Sequence, residues 1–472
     1  MTILVLTADP LPLPGLTATG AGLRAWSLAK GLCAAGVDAR AAMPASILTG
    51  RFDPATEPYS RHVYPDASVV KFIEQERPEA VVLQHWGMMA RVGDLPCPVA
   101  IDLAGPHLLE RRLWGQSNLS ADQNAKIAAL RRADFVVCSG QWQRMYFLPW
   151  LMEAGFDPAD PTLCPAIPFS WAPEGPLPRS TMPGESEELT FVSGGVLLPW
   201  QNPLPSLEIL LAEMDQANCG RLIFCGGAHP SMNVAGGETV RLLETLEKHP
   251  RVQMQPLMPF DDWLKLISTA DVAFDLLPFN NERQIAFPTR TSMYLWSGLP
   301  VIHADYDELG SWIQQSQAGW ALDPENEGVL RQTIRSILLD RSQISRAAAN
   351  ARTLGEKRLN WATTIGPLAD YCRNPRRRNA AFDSSAKLES EPSTRELSLQ
   401  RDLELSRSEA AALKGKWPFR LARRLKSASW LLAPVVYPVL LLFLSCVFLF
   451  LKLADLYGDK RKGRASDRHA AS

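Results

Sequence analysis

The sequence predicts an α/β protein made of two doubly wound, Rossmann-like domains, followed by a helical tail and one hydrophobic membrane segment. Three observations carry that reading. Short apolar runs alternate with amphipathic stretches from the first residues onward, a proline-dense segment interrupts the alternation, and the same alternation then restarts. Strands that alternate with helices of this length favour parallel sheets covered on both faces. At 472 residues the chain is also too long for one ordinary domain.

The first domain is expected over residues 1–165. The run ILVLTA (3–8) is a strand that stops at PLPLPG. GLRAWSLAKGLCAAG reads as a helix, because Leu23, Trp26, Leu28, Leu32 and Ala35 fall on one face, and Gly36 suits its C-terminal cap. VDARAAM, AVVLQ (80–84), PVAIDL (98–103) and DFVVCSG (134–140) are further strands. Prolines crowd FDPADPTLCPAIPFSWAPEGPLPRSTMPGES, which cannot stay regular for long, and a linker is placed at 166–188. The second domain follows over 189–355. Its strands are TFVSGG, RLIFCGG, VQMQPL, VAFDLLPF and PVIHAD. They are separated by the helical stretches PLPSLEILLAEMDQA, ETVRLLETLEKH, FDDWLKLISTA and TRTSMYLWSG. A further helix is expected over 356–372.

From Arg373 the composition turns basic and polar, so 373–427 is expected to be flexible with some helix. A membrane segment is placed at 428–454. Its core, WLLAPVVYPVLLLFLSCVFLFL (430–451), holds no charge and is long enough to cross ~30 Å of hydrocarbon as a helix. Basic residues flank both ends, so orientation stays open, and Pro434 and Pro438 leave a re-entrant path open as well. A basic tail, 455–472, ends the chain.

Net charge is −1, which argues against a nucleic-acid partner. The eight cysteines form no CxxC pair and several sit inside apolar runs, as expected of buried thiols in a reducing compartment. The N-terminus reads as a strand rather than a signal peptide. Together these place the bulk of the protein at the cytoplasmic face of the inner or plasma membrane.

Three segments narrow the class. GAGLRAWSLAKGLCAAGVDA, FVSGGVLLPWQNPLPSLEILLA and FPTRTSMYLWSGLPVI occur in that order, followed by RLNWATTIGPLADYC. By pattern over residues 1–372 the chain resembles the GT-B glycosyltransferases of the large retaining group called group 1, or family four. The resemblance implies two domains facing a cleft and a last helix that crosses back to the first domain. It implies a nucleoside-diphosphate sugar as donor, transfer with retention, and no metal or other cofactor. Gly20, Gly22 and Arg24 match the family's first loop and helix, which implies that they bind the donor. The family's arginine and lysine after the strand at 190–195 have no counterpart in Val196–Asn202, and its two glutamates fall on Ile285 and Met293.

Candidate site residues follow. A diphosphate suits backbone N–H groups at glycine-rich turns and helix N-termini, helped by cations. Gly194 and Gly195, after a strand, could let the backbone approach phosphate. Thr289, Arg290 and Thr291 open a helix behind Pro288. Glu282 is placed to replace the missing glutamates, with Asp275 and Arg283 as further contributors. On the first domain, His85, Asp102 and His107 lie at strand C-terminal ends, where open α/β sheets carry their sites. A histidine of this domain commonly contacts the transferred sugar in the family, and either His85 or His107 fits. The expected partners are the nucleotide-sugar donor, a lipid-linked or polysaccharide acceptor, and the membrane through 430–451. Two alternatives stay open, a degenerate membrane-tethered GT-B scaffold without catalysis and a sugar-nucleotide epimerase.

Overall fold

A computed structural model describes residues 2–48, 50–115, 118–175, 182–227 and 237–378. The expected membrane segment and most of the expected tail lie outside these residues. Among the described residues no helix is long and apolar enough to cross a membrane.

The first sheet contains β1 (Thr2–Leu6), β2 (Asp38–Pro44), β3 (Val63–Tyr64), β4 (Ala80–Gln84), β5 (Val99–Leu103) and β6 (Phe135–Cys138) in the order β3-β2-β1-β4-β5-β6. The second contains β7 (Thr190–Val196), β8 (Arg221–Gly227), β9 (Val252–Gln255), β10 (Val272–Asp275), β11 (Val301–Ala304) and β12 (Gly319–Leu322) in the order β12-β11-β10-β7-β8-β9. Every pairing is parallel. The two orders are the same once each domain is counted from its own first strand. Helices cover both faces of each sheet, so strand residues are apolar at successive positions rather than alternate ones. In β1, Ile3 and Val5 enter one core cluster, while Leu4 and Leu6 enter the cluster on the opposite face. In the second sheet, Val192 and Ala273 face one core, and Phe191, Val272 and Phe274 the other.

The first part of the expected linker is buried. Ile167 joins the core of the first domain, and Phe169 and Trp171 join that of the second. The crossing expected as one helix over 356–372 is made in pieces. The helix Ser342–Arg358 ends at Leu359, whose carbonyl accepts from Trp171 N at 2.9 Å. Two short helices, Trp361–Thr364 and Gly366–Arg373, then carry Ile365, Leu368 and Ala369 into the first domain's core. Asn360 caps the first of them through its side chain, and Pro367 sits in the opening turn of the second.

The start of the expected flexible tail is anchored. Arg378 N donates to Asp134 Oδ1 at 2.8 Å, and its guanidinium bonds the carbonyls of Arg131 and Gly155.

Candidate active site

In a 3-2-1-4-5-6 sheet the chain leaves strands 1 and 4 in opposite directions, which opens a crevice at their C-terminal ends. The first domain has this crevice between β1 and β4, and the second between β7 and β10. The two crevices enclose one cavity of about 680 Å³ with walls from both domains, a size ordinary for a small-molecule site.

His85 and His107 stand together in the first-domain wall. His85 follows β4 at φ 96°, and its Nδ1 accepts from Gly87 N at 3.1 Å. His107 opens the helix His107–Leu113, and its Nδ1 bonds Glu110 Oε2 at 2.7 Å. The ring centroids are 3.7 Å apart at 75°. Both Nε2 atoms are buried, and neither has a hydrogen-bond partner among the described residues. Burial first, then the neighbouring charge of His107, pushes the His85 pKa well below the usual imidazole range, so this ring is neutral. Burial opposes ionisation of Glu110, but the charge and hydrogen bond of His107 outweigh it and hold the carboxyl below its ordinary range. Polar edges left unbonded in a cavity wall are groups that a ligand can satisfy.

Asp102 and Arg24 do not line this cavity. Both are fully buried, and they form a two-point ion pair, Arg24 Nε to Asp102 Oδ2 at 3.0 Å and Nη2 to Oδ1 at 2.9 Å. Arg24 Nη1 also donates to the carbonyls of Ile167 and Pro168, at 2.7 and 3.0 Å. The expected donor-binding arginine and catalytic aspartate thus tie the first helix and β5 to the linker.

Gly20 and Gly22 lie in a helix rather than a loop. The helix Gly20–Ala34 starts earlier than its apolar pattern suggested, because Thr19 caps it by accepting from Gly22 N. A side chain at Gly22 would collide with the Pro10 carbonyl, so this glycine is needed for packing. Gly20 lines the cavity, and a Cβ there would sit 3.2 Å from Thr289 Oγ1 in the other domain.

In the second-domain wall, Gly194 and Gly195 fall inside β7 rather than after it, at φ 143° and 117°. A Cβ on Gly194 would strike the Cys225 carbonyl of β8, and one on Gly195 would lie 2.7 Å from Arg290 Cδ. Of the two, only Gly195 lines the cavity. Together they seat Arg290, whose Nη1 donates to Gly194 O at 2.7 Å. Arg290 Nη2 reaches Gln201 Oε1 and Asp275 Oδ1, each at 3.3 Å. Thr291 points away from the cavity and donates to Asp275 Oδ2 at 2.6 Å. Burial would raise the Asp275 pKa, but Arg290, His303 and the Thr291 hydroxyl bring it below the usual carboxylate range.

Glu282 lines the cavity, yet it already bonds Arg283 Nη2 at 2.6 Å and Trp200 Nε1 at 2.8 Å. Its role in the wall is to hold those two side chains. Met293 also lines the cavity, and Ile285 does not.

Several wall residues escaped the sequence reading, among them Glu110, Trp200, Gln201, Phe260 and Trp263. Only Glu110 carried a local signal, since it stands three residues after His107 on one helix face. Among the described residues no group of three or more His, Cys, Asp or Glu could hold a metal ion.

No family model and no curated protein matches this sequence. In three dimensions the chain is similar to sucrose-phosphate synthase from Thermosynechococcus elongatus, with a TM-score of 0.57 and 16% identity over 79% of this chain and 98% of that one. It is similar to Anabaena HepE in complex with UDP and glucose, with a TM-score of 0.56 and 18% identity over 79% and 99%. It is also similar to WaaG, a glycosyltransferase involved in lipopolysaccharide biosynthesis, with a TM-score of 0.51 and 14% identity over 79% and 100%. At such identities the likeness is one of architecture: the chain has the GT-B glycosyltransferase fold and is similar in fold to the retaining enzymes of group 1.

Proposed function

We propose that the protein is a glycosyltransferase that moves a sugar from a nucleoside-diphosphate sugar to a lipid-linked or polysaccharide acceptor. Transfer takes place at the cytoplasmic face of a membrane, with retention and without a metal. The observation that carries this reading is the meeting of two helix N-termini in one cavity beside a fixed cation. The helix Gly20–Ala34 starts in one wall and the helix Thr289–Trp296 in the other, with Gly20 against Thr289. No side chain caps the second helix, so its first-turn N–H groups are open to a ligand. Both helices direct positive partial charge at the same space, and Arg290, held by Gly194 O, Gln201 and its ion pair with Asp275, adds a guanidinium with further N–H donors. A diphosphate fits there. Donors fixed in advance stabilise the charge that grows on a leaving diphosphate, which is the main catalytic term available to such a site.

Trp200, Leu257, Phe260 and Trp263 give the second-domain wall an apolar surface suited to a nucleobase. His85 and His107 face the sugar side with unbonded Nε2 atoms. The solved complex of HepE with UDP and glucose supports UDP-glucose as the first donor to try. The charge-free run 430–451 supports an acceptor at the membrane, since tethering raises the local concentration of a membrane-bound substrate.

The test is calorimetric titration of the purified full-length protein with UDP-, GDP-, ADP- and dTDP-sugars. One donor is expected to bind, and Arg290→Ala to weaken it roughly 10- to 100-fold, the worth of a charge-assisted hydrogen bond. Failure of every donor to bind at millimolar concentration sinks the reading. NMR of the product's anomeric proton then tests retention.

A further inference from the structure

The helix Gln141–Glu153 is apolar on both sides. Its inner face buries Phe147 and Leu151. Its outer face presents Trp142, Met145 and Met152, which are 39%, 64% and 53% exposed. With Pro149, also exposed, these positions fall within an arc of about 80° at 100° per residue, and no charged side chain interrupts it. Leu113 and Leu119, 43% and 52% exposed, stand on the two preceding helices, His107–Leu113 and Leu119–Arg131, which pack in sequence against each other and against this one. Half of the large exposed apolar side chains among the described residues thus sit on three neighbouring helices. Single exposed apolar residues are ordinary, but an apolar cluster on the outer face of a helix whose inner face is already packed marks a covered surface.

The anchoring of Arg378 and the sequence that follows it point to what covers this surface. Arg378, the last described residue, donates from Nη1 to the carbonyl of Gly155 at 2.8 Å, two residues beyond this helix. Its guanidinium lies 3.8 Å from the centre of the Phe156 ring. The described residues therefore end beside the C-terminal end of the apolar helix, and in sequence the charge-free run 430–451 follows after residues 379–429. The helix His107–Leu113 belongs to both surfaces, giving His107, Glu110 and Arg111 to the cavity wall and Leu113 to the outer face.

We infer that the face formed by Trp142, Met145 and Met152, with Leu113 and Leu119, rests on a lipid bilayer at the boundary of headgroups and acyl chains. Tryptophan suits that depth, and Arg112, exposed beside Leu113, suits anionic headgroups. The inference depends on the proposed membrane location in one respect, that a bilayer is present for the face to meet. It adds the orientation of the folded unit, with the helix that carries His107 and Glu110 of the cavity wall next to the membrane surface.

Photo-crosslinking of the full-length protein in phosphatidylglycerol-containing nanodiscs tests it. Benzoylphenylalanine is placed one site at a time at Met145, at Met152, at Leu440 within the apolar run, and at Val240, which is 52% exposed on the second domain. Adducts are identified by mass spectrometry. The expected result is lipid adduct at 145, 152 and 440, with at least ten-fold less at 240. Lipid adduct at 440 without any at 145 and 152 overturns the inference and leaves the membrane reading standing. Absence at all four sites overturns both. Protein adducts at 145, or equal lipid labelling at 145 and 240, also overturn the inference.

Discussion

Replacing Arg24 with methionine separates a structural arginine from a donor-binding one. In the native fold Arg24 is the side-chain partner of both Asp102 carboxylate oxygens, and it also bonds the carbonyls of Ile167 and Pro168. Both side chains are fully buried. Removing one partner of a buried ion pair leaves an uncompensated charge, at a cost of about 3–5 kcal/mol. The two linker carbonyls lose a donor as well, at about 1 kcal/mol each before any water enters. A domain of this size shifts its melting midpoint by roughly 2–4 °C per kcal/mol. Arg24→Met is therefore expected to lower the first-domain transition by roughly 10 °C or more in differential scanning calorimetry. The double variant Arg24→Met, Asp102→Leu removes the stranded charge and is expected to regain most of that loss. A midpoint within about 2 °C of wild type, with donor binding abolished, would refute the structural assignment and return Arg24 to the ligand.

Two further outcomes follow from ionised contacts elsewhere. Glu308 of the second domain accepts from Trp142 N at 3.0 Å, in the first turn of a first-domain helix, so Glu308→Ala is expected to loosen domain closure and raise the radius of gyration measured by small-angle X-ray scattering; an unchanged value removes Glu308 from that role. Glu213 is buried between Arg331 and Arg335, and the hydrogen bond from Arg335, foremost, holds its pKa below the ordinary 4.5. A depressed folded-state pKa gives stability that is present above 4.5 and lost as pH falls through the folded value, so Glu213→Gln should flatten the acid limb of a denaturation series, and an unchanged limb contradicts the pairing.

Much of the sheet architecture is legible in the sequence, because strands buried on both faces are uninterrupted apolar runs. Ala80–Gln84 and Arg221–Gly227 are found with their boundaries. β3 and β12 are missed for a physical reason. One has two residues, and the other is a half-exposed edge strand whose sequence, GWAL, offers neither a run nor an alternation. The two-domain division is legible in the prolines of the linker, but the burial of its first part is not, since Phe169 and Trp171 need the assembled second domain around them. The site is legible only in part. The need for small residues at Gly22 and Gly194 shows in the sequence, but the atoms that impose it, the carbonyls of Pro10 and Cys225, come from other elements. Arg24 is the clearest limit. An arginine near a predicted cleft looks the same whether its partner is a phosphate or an aspartate 78 positions away.

The departures from the family pattern in the second domain have a common structural explanation. The stretch Val196–Asn202 lacks the cations expected after β7, yet it still forms the cavity wall, through Trp200 and Gln201. Gln201 accepts from Arg290, and Trp200 is tied to Glu282, which also pairs with Arg283. The loop thus helps to hold cations contributed by the segments 281–285 and 289–296. Arg290 is fixed from three sides, by a strand carbonyl, a loop amide and the buried Asp275. A guanidinium held in place before the ligand arrives loses little side-chain entropy on binding. In the proposed function, that geometry would let one arginine and a helix N-terminus serve where the family pattern uses two cations on the loop itself. It also explains the second of the consecutive glycines of β7, since a side chain at Gly195 would displace Arg290 from this seat.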